Sequence, residues 1–586
     1  MRSRIHALHL YVALLTISFA CIDAHAAGRS WIERSDQHAA IVFQILGTFD
    51  PEWASELGID RLDTAVRDLR PDVARRYDVA AGRAIALLSR IRRTESDPAV
   101  RLDLDILLDA IGKLRRTRAL EHRLLIPYSD LPRHVFLGLQ VLLDLRNDEA
   151  RRRHALERLR RYAGMEPGVT PLTGLAMARM KERFAVAQLL WPYEGEVRQN
   201  LANCGRYIAG IADLFRLSEL PDWEVAHARL AEQLASYCAW VRSDVLPRTR
   251  ASHILPRELY ADRVKNAGID IEPEQAISMG MFAFAEIRDE MIRLATRIAG
   301  ERKLAQTDFR SVLRELKRNP VPPDGILALY RDRLKEIEEI VRRERIITLP
   351  QRQTSIRLAS EAESAASPVP YMNPPRLVGN RGEVGEFVLP LRNPNAKSPD
   401  QLDDFTAEAS SWSLTAHEAR PGHELQFAAM VESGVSLARA AFAFNSTNVE
   451  GWGLYAESIM LPHFPPEGQL FSLQLRLLRA ARAFLDPMVN LGRMTPADAK
   501  AFLVREAAFS EPFAQQEADR YAFEAPGQAI SYLYGYTRLR ELRLKAELAL
   551  GARFDPHRFH DLVIAQGLLP PKLLERAVMD EIARLH

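Results

Sequence analysis

His417-Glu418-Ala419-Arg420-Pro421-Gly422-His423 is the stretch on which the reading of this 586-residue chain turns. In the common HExxH arrangement two histidines four residues apart lie on one helix face, so both imidazoles reach one Zn2+ while the glutamate polarises its water. Here the histidines are six residues apart. On an unbroken helix a six-residue step turns the second side chain roughly 120° from the first, against about 40° for four residues, so a straight helix fails. Pro421 has no amide hydrogen, and its ring clashes with the carbonyl of His417, so the helix must kink or end there. Gly422 can then take a backbone conformation closed to other residues and let His423 swing back toward His417. The bland alternative is that Pro421-Gly422 ends one helix and His423 begins the next, with no metal involved.

Working outward, the segment on the amino-terminal side changes texture. Ile346–Pro350, Ser355–Leu358 and Gly385–Leu391 are short and rich in β-branched or aromatic residues, with Pro and Gly between them, and they predict strands. A helix that Asp403 or Asp404 can cap then runs through Phe405, Ala409, Trp412 and Ala416 into His417. A small sheet next to such a helix can pair an edge strand with an extended peptide while the helix holds the metal. On the carboxyl side, Glu450 and Glu457 in Asn448-Val-Glu-Gly-Trp-Gly-Leu-Tyr-Ala-Glu457 lie close to two helical turns apart, on one face. One carboxylate can bind metal while the other accepts a hydrogen bond from a ligating imidazole. Glu450 is preferred as the ligand, and Gly451 and Gly453 allow close helix packing. The competing reading is that both glutamates are solvated.

The pattern His-Glu-x-x-Pro-Gly-His followed by Glu-Gly-Trp-x-Leu-Tyr-Ala-Glu resembles the bacterial domain-of-unknown-function 885 family. The resemblance continues in Pro526-Gly-Gln-Ala-Ile-Ser-Tyr-Leu-Tyr-Gly535 and from Phe559-His560-Asp561 to Pro570, with looser likeness at Glu52 to Asp68 and Pro256 to Glu274. It implies a mainly α, large helical zincin-like metallopeptidase fold with a small β-sheet beside the active-site helix, related in layout to thimet-oligopeptidase and carboxypeptidase-Taq types. Carried over residue by residue, it makes His417, His423 and Glu450 the ligands of one Zn2+ and Glu418 the catalytic base. Glu424 departs from the family, which often has a further histidine at that position. Tyr532 and Tyr536 share a helical face, and Gly535 lets another backbone approach. By similarity Tyr532 is the oxyanion donor and Tyr536 the second choice, a plain aromatic packing stripe being the alternative; His560 and Arg538 are weaker candidates.

Composition narrows the rest. Hydrophobic residues make up 47% of the chain and the formal net charge is +2, so a large core is available and no broad field draws nucleic acid or a membrane surface. The basic run Arg151-Arg152-Arg153-His154 with Arg158, Arg160 and Arg161 recurs at helical spacing and reads as a solvated helix face. Arg2 and Arg4 before the apolar run from Leu10 to Ile22, with Ala24-His25-Ala26 after it, predict a secretory signal peptide at 1–26 and a periplasmic or secreted protein. Ser18 and Phe19 fit a lipoprotein signal around Cys21 poorly, and no later segment is long and apolar enough to span a bilayer. Cys204 and Cys238 are equidistant from Pro221 in a predicted helical hairpin, Arg198 to Leu217 and Trp223 to Val241, so they can face each other as a disulfide or as two buried thiols.

Helical periodicity also marks Ala80 to Arg93, Arg101 to Arg118, Ala176 to Leu190, Pro273 to Ala299 and Gly325 to Arg343. With no fixed repeat and no low-complexity linker, residues 27–586 read as a single large helical catalytic domain, strand-rich at 346–399 and with its metal-site core at 400–586. No serine-nucleophile elbow, Walker A loop or dinucleotide fingerprint is present. The expected activity is zinc-dependent hydrolysis of short peptides. The alternatives are a non-catalytic peptide binder on a peptidase scaffold and a metal-dependent esterase or amidase.

Overall fold

Long helices with proline or a capping side chain at the amino end build most of the molecule, which a computed structural model describes over residues 31–395 and 403–584. The expected signal peptide lies outside the described residues. Pro98–Leu124 starts with Pro98 in its first turn and the Asp97 carboxylate accepting the Ala99 amide at 2.9 Å, and it packs against Val73–Thr94. Both devices satisfy or dispense with amide hydrogens that a helix leaves unpaired at its start. Glu194–Ser218 and Glu224–Trp240 form the expected hairpin, and Cys204 and Cys238 are joined across it as a disulfide with Cα atoms 6.8 Å apart.

The principal core gathers helices from both ends of the sequence around Pro273–Arg302 and Pro466–Asn490. These two lie closely side by side: a Cβ on Gly280 would sit 2.8 Å from the Ala480 carbonyl oxygen, and Phe284 meets Phe484 edge-on at 5.8 Å. A second apolar cluster fills the space among helices from Leu131 to Val245 and reaches Ala362 and Ala365. The predicted helices hold except at Ala176 to Leu190, where the helix is Leu172–Lys181 and gives way to turns before Phe184 and Val186, and before His417, where turns at 407–409 separate Asp403–Thr406 from Ser410–Leu414.

One three-stranded sheet stands among the described residues. Its strands are β1 (Ser355–Leu358), β2 (Tyr371–Asn373) and β3 (Glu386–Leu389), in the order β1-β3-β2, with β1 parallel and β2 antiparallel to the central strand. Two of the three predicted strands therefore hold. Ile346–Pro350 is irregular; its polar backbone is tied instead by carboxy-terminal side chains, His560 Nδ1 to the Ile346 carbonyl at 2.7 Å and the Thr348 amide to Asp561 at 2.9 Å. The third strand, β2, is three residues among prolines, too short to show an alternating pattern.

The basic run is a solvated face only in part: Arg153 and Arg160 are exposed. Arg151 and Arg158 point inward from Glu149–Tyr162: Arg151 pairs with Asp63 at 3.0 Å, and Arg158 donates to the Gly138 carbonyl at 2.6 Å and the Leu62 carbonyl at 3.1 Å. Buried guanidinium is tolerated where its N–H groups find acceptors, and these carbonyls and this carboxylate take most of them, the Arg158 Nε being left without one.

Candidate metal centre

The helix entering the site is short. Ser410–Leu414 widens into a π-type turn at Thr415–Ala419, the chain leaves helical geometry at Arg420, the Arg420–Pro421 peptide is cis, and a new helix, His423–Ser433, begins directly after Gly422. The break expected at Pro421-Gly422 is present. Its reason at Gly422 is contact rather than a left-handed backbone: φ is −78°, and a Cβ there would lie 1.9 Å from the His417 carbonyl oxygen. Asp404, offered as a helix cap, instead forms a buried ion pair with Lys317 and accepts from Ser510.

The bend brings the two imidazoles together. Their ring centroids are 4.6 Å apart, and His417 Nε2 and His423 Nε2 stand 3.5 Å and 3.4 Å from the same oxygen, Glu450 Oε2. The candidate ligand atoms of all three residues lie within 4.8 Å of one another. A tetrahedral ion with bonds of about 2.0–2.1 Å has ligand–ligand edges of about 3.3–3.4 Å, so this donor set fits a zinc-sized ion. Glu450 comes from Ser446–Met460, and Gly453 on that helix makes the approach possible: a Cβ there would sit 2.6 Å from His417 Cε1 and 2.8 Å from His423 Cε1. Gly451 serves helix packing as expected, since a Cβ on it would meet the Gly535 backbone at 2.6 Å.

Behind the triad, Glu457 Oε1 accepts from His417 Nδ1 at 2.7 Å, while Ser413 donates to Glu457 Oε2 at 2.6 Å and Arg479 lies 3.4 Å away. Such a carboxylate fixes the imidazole tautomer with Nε2 facing the metal position and raises its basicity. Glu450 thus lies with the two histidines and Glu457 behind His417; the seven-residue spacing by itself allows either carboxylate either place. Burial opposes charge on His417, but its hydrogen bonds to Glu450 and Glu457 prevail and carry its pKa to about 9 in the metal-free protein. Glu450 is drawn well below the usual carboxylate range: burial acts against this, and the bonds to both histidines outweigh it. Burial pushes Glu418 up.

Glu418, His423, Glu450 and Tyr532 line one cavity of about 500 Å3, together with Arg520 and Gln528. β2 also lines it, and its outer side has no strand partner among the described residues. A neighbouring cavity of about 750 Å3 shares Trp53, Glu56, Tyr371 and Asn373 with the first, so the hollow continues into the helical body. Tyr532 stacks on the His417 ring at 6.4 Å, its hydroxyl accepts from Arg520 at 3.3 Å, and the Arg482 guanidinium covers its ring at 4.4 Å. Arg482 in turn is locked by two bonds to buried Glu517, at 2.7 and 2.6 Å.

The remaining candidates are elsewhere. Tyr536 faces a different cavity; His560 is buried against Tyr455 at 2.9 Å; Arg538 pairs with Glu541 at 2.7 Å. Glu424, the departure from the family pattern, is buried and holds Arg420 at 2.7 Å, and Arg420 also reaches Glu338 at 2.6 Å. Trp452 donates to the Pro421 carbonyl at 2.9 Å. Nothing in the local spacing of Arg482 and Arg520 distinguishes them from ordinary helix residues, and Arg420 and Trp452, although inside the motifs, have partners that local spacing does not reveal.

Residues 51–578 match the family described as bacterial protein of unknown function, DUF885, and the chain belongs to that family. No curated protein matches it by sequence. Two solved structures, each described as a "putative lipoprotein", share its fold. The one from Colwellia psychrerythraea is 17% identical, covering 95% of this chain and 98% of its own, with a TM-score of 0.76. The one from Shewanella oneidensis, of unknown function, is 18% identical, covering 93% and 98%, with a TM-score of 0.68.

Proposed function

We propose that this DUF885 chain is an exported, zinc-dependent metallopeptidase of zincin-like layout that cleaves short peptides, with residues 27–586 as one catalytic unit behind a signal peptide at 1–26. The observation that carries this reading is the convergence of His417, His423 and Glu450 beside a cavity that His423, Glu450, Glu418 and Tyr532 line together with β2, whose outer side is unpaired among the described residues. Among the described residues no helix is long and apolar enough to cross a membrane, and the description of both structural relatives as lipoproteins agrees with export.

Zinc held by the triad would act as a Lewis acid and lower the pKa of its water from about 15.7 toward about 7. The chain's own groups account for the other tasks. Glu418 takes a proton from the attacking water and passes it to the leaving amine; its burial, which favours the protonated form, suits the second half of that exchange. Tyr532 donates to the oxygen on which negative charge develops. Arg520 occupies a lone pair of the Tyr532 hydroxyl, so the phenolic proton is left to point into the cavity. The extended backbone of a peptide can pair with β2, which limits the substrate to chains able to lie between strand and metal.

Cleavage of a peptide library by the zinc-loaded protein and by Glu418→Gln tests this. The reading requires cleavage by the wild type and its loss in the variant with zinc still bound; equal cleavage by both removes Glu418 as the base. Zinc binding with ester but no peptide hydrolysis would reassign the same site to an esterase.

A further inference from the structure

A larger cavity, about 1060 Å3, lies on the far side of the helix pair that carries Glu450 and Tyr532, and it shares no lining residue with the metal cavity. Its carboxylates are already engaged. Glu541 pairs with Arg538 at 2.7 Å, Glu547 with Arg543 at 2.7 Å and Glu344 with Arg343 at 2.8 Å, while Asp555 caps the His557 amide at 3.0 Å. Tyr455 is engaged too, between His560 Nε2 at 2.9 Å and Arg543 at 3.2 Å.

Three guanidinium groups lining this cavity, those of Arg345, Arg476 and Arg540, make no ion pair among the described residues, and two of them share one aromatic ring. Arg476 and Arg540 each stand 5.7 Å from the centroid of the Tyr536 ring, and neither makes an ion pair among the described residues. Arg476 is half-buried, and its Nε and Nη2 are shut off from solvent without any acceptor. A ring face attracts cations but accepts no strong hydrogen bond, so two positive charges drawn to one ring repel each other with their donors unused. An oxyanion would remove both deficits, because guanidinium forks bind carboxylate and phosphate through paired N–H···O bonds.

We propose that Arg476 and Arg540 clamp an oxyanion-bearing small molecule across Tyr536, at a binding site separate from the metal centre. Its ligand carries a phosphate or a carboxylate group, and the site is independent of whether the metal cavity hydrolyses peptides. Isothermal titration calorimetry with inorganic phosphate and with succinate tests it on the wild type, Arg476→Gln, Arg540→Gln and His423→Ala, each checked for fold by circular dichroism.

The expected result is saturable binding of at least one probe by the wild type and, unchanged, by His423→Ala, with about tenfold or weaker affinity in both arginine variants. Preference for phosphate identifies a phosphorylated ligand, and preference for succinate a carboxylic acid. Arg540 is exposed, so its replacement leaves the packing intact and the test readable even if Arg476→Gln fails to fold. Absence of saturable binding by either probe, unchanged affinity in Arg540→Gln, or loss of binding in His423→Ala overturns the proposal.

Discussion

Tyr532 and Tyr536 stand one turn apart on the Ser531–Leu550 helix, yet they belong to different chemical neighbourhoods. The division falls where two helices touch: Gly451 lies between Glu450 and Tyr455 on one, Gly535 between Tyr532 and Tyr536 on the other, and a Cβ on Gly535 would sit 2.0 Å from the Thr447 carbonyl oxygen. Glu450 and Tyr532, before the crossing, line the metal cavity, and Tyr455 and Tyr536, after it, line the arginine cavity. On the metal side, Glu457 and Glu517 hold His417 and Arg482 in place, and His423 and Glu450 are left facing open space. On the other side the carboxylates are spent on local arginines, and Arg476 and Arg540 are left over. Helical spacing tells which residues share a face; only the crossing partner tells which cavity that face meets.

This contrast can be broken in several places. Glu418→Gln should lower kcat by about 10²- to 10⁴-fold, the usual worth of a positioned acid–base group, while zinc stoichiometry is retained. In Tyr532→Phe kcat should fall by about 10²- to 10³-fold with KM little changed, because the hydroxyl acts in the transition state. Tyr536→Phe should fall far less, and an equal loss would erase the division at Gly535. Glu457→Gln should weaken zinc affinity by about 10- to 100-fold, measured by chelator competition, since it removes the carboxylate that holds His417.

The smallest effect is on stability and belongs to the Tyr455–His560 pair. Burial lowers His560 to about 4 from an ordinary value of 6.5, so the unfolded chain binds this proton before the folded one does. Its contribution should therefore be intact above about pH 6.5 and be lost as pH falls toward about 4. Thermal melts of the wild type and His560→Gln across that range should converge at low pH. Parallel curves would show that His560 does not govern the slope.

Much of the centre was legible because its logic is local. Six-residue histidine spacing, Pro421 and Gly422 forced a bend, and the seven-residue step from Glu450 to Glu457 put both carboxylates on one side of a helix. What could not be read depends on partners distant in sequence. Arg420 is an interior hydrogen-bond hub only because Glu338 comes to meet it, and Arg158 is buried because the Gly138 and Leu62 carbonyls lie above it. Gly453 read as a packing residue, whereas the space it leaves is filled by two imidazoles. β2 went unseen because three residues carry no period, although it lines the metal cavity.

The most direct test of the central claim is anomalous diffraction at the zinc edge from crystals of the zinc-loaded protein. A single strong peak bounded by His417 Nε2, His423 Nε2 and Glu450 Oε2 is the predicted result. No peak there, or one only at other residues, would contradict it.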